Sequence, residues 1–129
     1  LSSKAVSLLL LEPDRATRQL YTRELSKRWR VIAVGQATEM LDILNTETID
    51  VVVLEVVDGG VEQWQLLEQV RMQAKDAALP IIICSAIDER GKGYEAGASA
   101  YLIKPVSPQQ LTAEIAQWVE RRPKARETS

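Results

Sequence analysis

The chain has 129 residues, 46% of them hydrophobic and 26% charged, which fits one folded domain and excludes a disordered or fibrous chain. Its 16 Lys and Arg against 18 Asp and Glu give a net charge of -2, without the basic excess of a nucleic-acid-binding domain. One cysteine and no histidine remove disulfide frameworks, Cys/His zinc sites and Ser-His-Asp triads, and leave carboxylate and lysine chemistry.

In chain order, residues 6–11 form a nearly unbroken apolar run, as expected of a strand covered on both faces. Residues 14–28 then place Leu20, Tyr21 and Leu25 at helical spacing, with Asp14 as N-cap. Residues 30–34 predict a more polar edge strand, and residues 38–47, with Met40, Leu41 and Leu44, a second helix. The Val-rich residues 51–54 predict a third strand, and residues 62–74, carrying Trp64, Leu67 and Val70, a third helix. A fourth strand is expected over 79–84 and a short helix over 88–96, closed by Gly97. Residues 99–103 read as a second edge strand. Residues 108–121 read as a fifth helix opened by Ser107-Pro108, with Leu111, Ile115, Trp118 and Val119 on one face.

Five such βα units predict an α/β domain with a doubly wound, five-stranded parallel sheet. It is expected to span residues 1–121, leaving 122–129 as a polar tail or the start of a linker. That tail, and a start without methionine, are expected of a module within a longer chain. With no apolar run of membrane-spanning length and no signal-like start, the expectation is a cytoplasmic module with no membrane partner and no direct contact with nucleic acid. Charge is uneven: residues 14–30 are basic, and the rest of the domain is acidic. This polarity either orients a protein partner or reflects ordinary solvated helix faces.

In an open parallel sheet, ligands collect beyond the carboxyl ends of the strands. Those ends carry Glu12-Pro13-Asp14, then Glu55, then Ser85-Ala86, then Lys104-Pro105. Two or three carboxylates, a hydroxyl and a lysine could hold a hard cation and phosphoryl oxygens. Alternatively, Lys104 simply neutralises Glu55.

The blocks LLLLEPD, VVVLE, PIIICSA and GASAYLIKP, in that order, resemble the receiver domain of two-component response regulators, and the similarity runs over residues 6–119. The resemblance implies a flavodoxin/CheY-like sheet of order 2-1-3-4-5. It also implies an acidic pair that binds Mg²⁺ together with an aspartate, which accepts a phosphoryl group from a histidine kinase. A Ser/Thr and a lysine contact the phosphoryl oxygens, and an aromatic residue on the fifth strand responds. On this pattern Glu12 and Pro13 stand at the acidic pair, Glu55 at the phosphoacceptor, Ser85 at the hydroxyl, Tyr101 at the switch aromatic and Lys104 at the lysine. The backbone carbonyl of Val57 stands at the remaining metal-ligand position, and the Lys104-Pro105 bond is expected to be cis.

The departures bear on function. Pro13 supplies no side-chain ligand, and the extra methylene of Glu55 pushes its carboxylate outward by about 1 Å, enough to cost on the order of 100-fold in a positioned reaction. Mg²⁺ tolerates such distortion poorly, so its binding is expected to be weak or absent, with Glu12, Glu55 and Val57 as the candidate ligands. Residues 56–61 lack the usual Met-Pro turn, and Gly59-Gly60 could supply positive φ there.

The chain is therefore expected to be a pseudo-receiver: not an enzyme, but a phosphorylation-independent interaction and regulatory module. Glu55 either imitates the phosphorylated aspartate, projecting its charge towards Ser85 and Lys104, or is inert. The alternatives are a residual Mg²⁺-dependent phosphoacceptor and a carboxylate/lysine metal-dependent phosphotransferase or phosphohydrolase. Expected partners are another protein or an attached effector domain, a histidine kinase upstream, and a second copy joined through residues 88–121. Tyr101 is either a moving switch or static packing, Trp64 and Trp118 are core or interface residues, and Cys84 is a small hydrophobe.

Overall fold

The computed structural model describes residues 6–56 and 61–121. Five strands, β1 (Ser7–Leu11), β2 (Arg30–Val34), β3 (Val51–Val56), β4 (Ile81–Ser85) and β5 (Ala100–Ile103), alternate with five helices. These are α1 (Arg15–Leu25), α2 (Ala37–Thr46), α3 (Val61–Gln73), α4 (Arg90–Glu95) and α5 (Pro108–Arg121). All strand pairs are parallel, in the order β2-β1-β3-β4-β5, so β2 and β5 are the edges. Among the described residues no helix is long and apolar enough to cross a membrane.

Strand side chains alternate between faces, so an apolar run without gaps feeds two cores. Leu8 and Leu10 of β1, Val51 and Val53 of β3 and Ile82 and Cys84 of β4 join Tyr21, Leu25, Leu111 and Ile115 from α1 and α5. Leu9, Leu11, Val52, Leu54, Val56, Ile81 and Ile83 face the other way, onto Met40 and Leu44 of α2 and Leu67 and Val70 of α3. At about 25 cal/mol per Å² of apolar surface, each fully buried Leu or Ile contributes on the order of 2 kcal/mol.

Local chemistry sets the helix ends. The Asp14 carboxylate accepts the Thr17 N–H at 2.9 Å. Ser107 and Gln110 form a reciprocal box at the start of α5, each side chain accepting the other's backbone N–H, at 3.0 and 2.8 Å. Gly97 has φ 117°, and the chain leaves α4 there as the Gly97 and Ala98 N–H groups bond back to Tyr94 and Gly93.

Element boundaries shift by one to three residues from the sequence reading, the first helix ending at Leu25 rather than at 28, and three of the shifts bear on the site. β3 runs two residues further, so Glu55 lies within the strand opposite Cys84 rather than after it. β4 begins at Ile81, because Pro80 has no N–H to donate and contributes only its carbonyl, to Val52 N–H. α4 begins at Arg90, since Asp88 is engaged with the Arg90 side chain and the Glu89 N–H bonds to Ile87 and Tyr101. Val57, the Gly59-Gly60 turn and the 122–129 tail lie outside the described residues.

Candidate functional site

The alternation that builds the α1/α5 core also builds the site. Glu12 continues the series Leu8, Leu10; Glu55 continues Val51, Val53; and Lys104 follows Leu102, which packs on the same side. Three charged side chains thus gather where the apolar series of β1, β3 and β5 run out, at the carboxyl edge of the sheet. Glu12 is 2% exposed and Glu55 6%. Burial of this kind demands partners.

Lys104 Nζ forms an ion pair with Glu55 Oε2, with the lysine side chain 30% exposed and the glutamate 6%. Glu12 Oε2 accepts the Asp14 N–H at 2.9 Å. The other oxygen of each carboxylate, Glu12 Oε1 and Glu55 Oε1, is buried with no hydrogen-bond partner. Burial pushes the Glu55 carboxyl up to about 7, the Lys104 ion pair opposes this, and the charge of the neighbouring Glu12 adds to the rise. The carboxylate expected to stand outward is thus buried and paired with Lys104.

Ser85 does not join this group. It follows Ile81 and Ile83 on the α2/α3 side of the sheet, and its hydroxyl accepts the Ile87 N–H at 3.1 Å. The expected projection of Glu55 onto both Ser85 and Lys104 is therefore met only at Lys104. Tyr101 is 6% exposed and faces inward against Ile83. Its hydroxyl donates to the Ile87 carbonyl at 2.6 Å and accepts the Glu89 N–H at 3.3 Å. Ser85 and Tyr101 together hold both polar backbone groups of Ile87, a clamp on the β4–α4 loop that no sequence motif announces. The Lys104-Pro105 peptide is cis, as expected.

Two further residues escaped the sequence reading. Arg18 Nη1 donates to the carbonyls of Glu12 at 2.8 Å and Pro13 at 3.3 Å, and lies over Gly35, where a Cβ would come within 2.7 Å of it and the guanidinium would have to shift. Its place four residues after the Asp14 cap was the available signal. Tyr21 OH donates to the Val106 carbonyl at 2.7 Å, tying α1 to the loop after the cis peptide. The Cys84 thiol is pushed up to about 12, mainly by burial, and is neutral and inert at ordinary pH. Trp64 and Trp118 pack partly buried against the two cores.

The donors fit a divalent cation poorly. Glu12 and Glu55 offer one unpartnered oxygen each, Pro13 offers no side-chain donor, and Asp14 is exposed and spent on the helix cap. Among the described residues no three His, Cys, Asp or Glu side chains are grouped as metal ligands.

Residues 8–116 match the family model of the response regulator receiver domain. The chain is 27% identical over 111 residues to the transcriptional regulatory protein HprR of Escherichia coli, covering 85% of this chain and 50% of that protein. It is 32% identical over 120 residues to the response regulator MprA of Mycolicibacterium vanbaalenii, covering 90% and 51%. The chain therefore spans about half the length of the curated relatives it matches. In fold it is similar to a CheY-like receiver domain protein from Methanospirillum hungatei, with TM-score 0.81 and 21% identity over 91% of this chain and 95% of that one. A response regulator from Thermotoga maritima gives 0.79 and 22% over 90% and 98%. With the sheet order and the matched residues in agreement, the chain belongs to the receiver-domain family of response regulators, the signalling modules of two-component systems.

Proposed function

We propose that this chain is a receiver module that works without phosphoryl transfer, as a protein-interaction and regulatory domain rather than an enzyme. The observation that carries the reading is Glu55, which stands at the phosphoacceptor position of the family pattern as a glutamate, buried and ion-paired to Lys104. A nucleophilic carboxylate must be ionised, free and aligned with the phosphoryl donor. Here one oxygen is held by Lys104, the other is buried against Glu12, and the raised affinity for a proton lowers the ionised fraction near neutral pH.

The remaining machinery is read as static. Tyr101 is packed inward and Ser85 is bonded to Ile87, and in this reading the β4–α4 loop keeps that arrangement without a trigger from Glu55. Glu55 with Lys104 acts as a fixed structural pair in this reading. Output runs through the face formed by residues 88–121 and the loop before it, where Ile87, Tyr94 and Ile103 are 44%, 48% and 38% exposed. That face would carry contact with an attached effector domain, a second copy or another protein. A histidine kinase belongs to the reading as a docking partner only.

Incubation with acetyl phosphate and Mg²⁺, followed by intact mass spectrometry, tests the reading. The expected result is an unchanged mass. An acid-labile gain of one phosphoryl group that disappears in Glu55→Gln would overturn it and restore the phosphoacceptor function.

A further inference from the structure

Surface charge in this chain is divided between the two sides of the sheet. Residues 31–70, which run from β2 into α3, contain no Lys or Arg. On α2 and α3, which cover one side of the sheet, Glu39, Asp42 and Glu68 are exposed, and among the described residues none of them has a cationic partner. Met72 follows Glu68 by four residues on the same helical stripe and is 84% exposed. On the other side of the sheet, α1 carries exposed Leu20 and Arg23, and exposed Lys27 lies just beyond its end. Glu24 pairs with both cations, at 3.6 and 3.0 Å, yet their side chains stay 70% and 66% exposed. Pairs this open to water are weak, so both cations can turn to a second carboxylate at little cost.

We infer that the acidic α2/α3 face of one copy docks on the basic α1 face of another, so that the chain assembles head to tail. A second copy is the occupant these surfaces fit, because each chain carries both halves of the contact. One half offers two cations beside an exposed leucine, the other three carboxylates beside an exposed methionine. Opposite charge steers and orients the encounter, and the two apolar side chains add contact area. The patches lie on opposite sides of one sheet, so the contact is heterologous. Each docked copy then leaves one patch uncovered at either end, and assembly continues past the dimer. The inference goes beyond the receiver reading and uses neither Glu55 nor the face at residues 88–121, where a dimer would be a separate contact.

Sedimentation velocity across a concentration series, at low and at high NaCl, tests it on wild type and two charge-reversed variants. Wild type is expected to grow past the dimer as concentration rises and to associate at least about tenfold more weakly at high salt, where exposed charges are screened. Arg23→Glu with Lys27→Glu makes both faces acidic, and Glu39→Lys with Asp42→Lys makes both basic. Each variant alone is expected to go no further than a dimer, and an equimolar mixture of the two is expected to grow past it again, since every altered face then meets an opposite one. Should a reversed chain fail to fold, Lys27→Ala and Asp42→Ala take its place, each expected to weaken the growth several-fold. Wild type that never passes the dimer would overturn the inference. So would growth that survives both reversals, or folded variants whose mixture does not recover it, since a different surface would then join the copies.

Discussion

Glu55→Gln isolates the charge at the centre of the site, and its effect is best read against pH. The Glu55 carboxyl is raised from the ordinary 4.5 to about 7, with burial as the main cause. A raised carboxyl means that the folded state holds a proton that the unfolded state has already released, so stability falls as pH rises between those two values. Below 4.5 the protonated group is no burden; above 7 its ionisation has cost its full amount, about 3 kcal/mol from the displacement of the titration. Glutamine keeps the size and removes the titration. Urea denaturation at closely spaced pH values should therefore show a wild-type-minus-variant difference that declines by about 3 kcal/mol across this window and is flat on either side. Asp14, Glu24 and Asp88, whose carboxyls are held below their ordinary range by hydrogen bonds to Thr17, Lys27 and Arg90, lose their contributions at lower pH in both proteins and cancel in the difference. A difference that is flat, or that rises with pH, would refute the placement of a buried carboxyl beside Glu12.

Three further expectations follow from the packing. In Gly93→Ala the new Cβ would stand 2.8 Å from Tyr101 Cδ2, so the ring must shift; overpacking of about 1–3 kcal/mol should outweigh the roughly 1 kcal/mol gained in helix propensity. Near-ultraviolet circular dichroism should change, and Tyr101→Leu added to Gly93→Ala should recover stability; an unperturbed tyrosine signal would show that the ring is not packed on α4. Arg71→Ala removes donors to the carbonyls of Leu79 and Gly97, each at 2.7 Å, and of Ala77 at 3.2 Å, and should cost about 3 kcal/mol in urea unfolding; a loss below about 1 kcal/mol would mean that water replaces the guanidinium. Charge reversal at Glu95 or Lys92, exposed on α4, should weaken any self-association measured by sedimentation without lowering stability; unchanged association would move the contact surface to the basic face of α1.

Much of this architecture was legible because burial on two faces leaves an unmistakable record. The runs at residues 8–11 and 81–84 have no polar interruption, and Asp14, Gly97 and Ser107-Pro108 punctuate the helices where caps require them. The convergence of Glu12, Glu55 and Lys104 was equally accessible, since all three lie at or just past the carboxyl ends of strands along one edge of the sheet. Direction was less so. Whether Glu55 reaches Ser85 depends on pleat parity, and the extension of β3 to Val56 sets that parity only once Glu55 is paired with Cys84. The double hold of Ser85 and Tyr101 on Ile87 joins residues 14 positions apart through a loop without sequence signature. Arg18 is hidden for a similar reason, as its guanidinium packs over Gly35, just past the end of another strand.

The central claim, that the Glu55–Lys104 pair fixes one state of the domain without phosphoryl transfer, is tested most directly by amide NMR spectra recorded before and after adding acetyl phosphate with Mg²⁺. The account predicts superimposable spectra, with the Ser85, Ile87 and Lys104 amides unmoved. A second set of resonances at those positions, growing with acetyl phosphate and lost in Glu55→Gln, would contradict it.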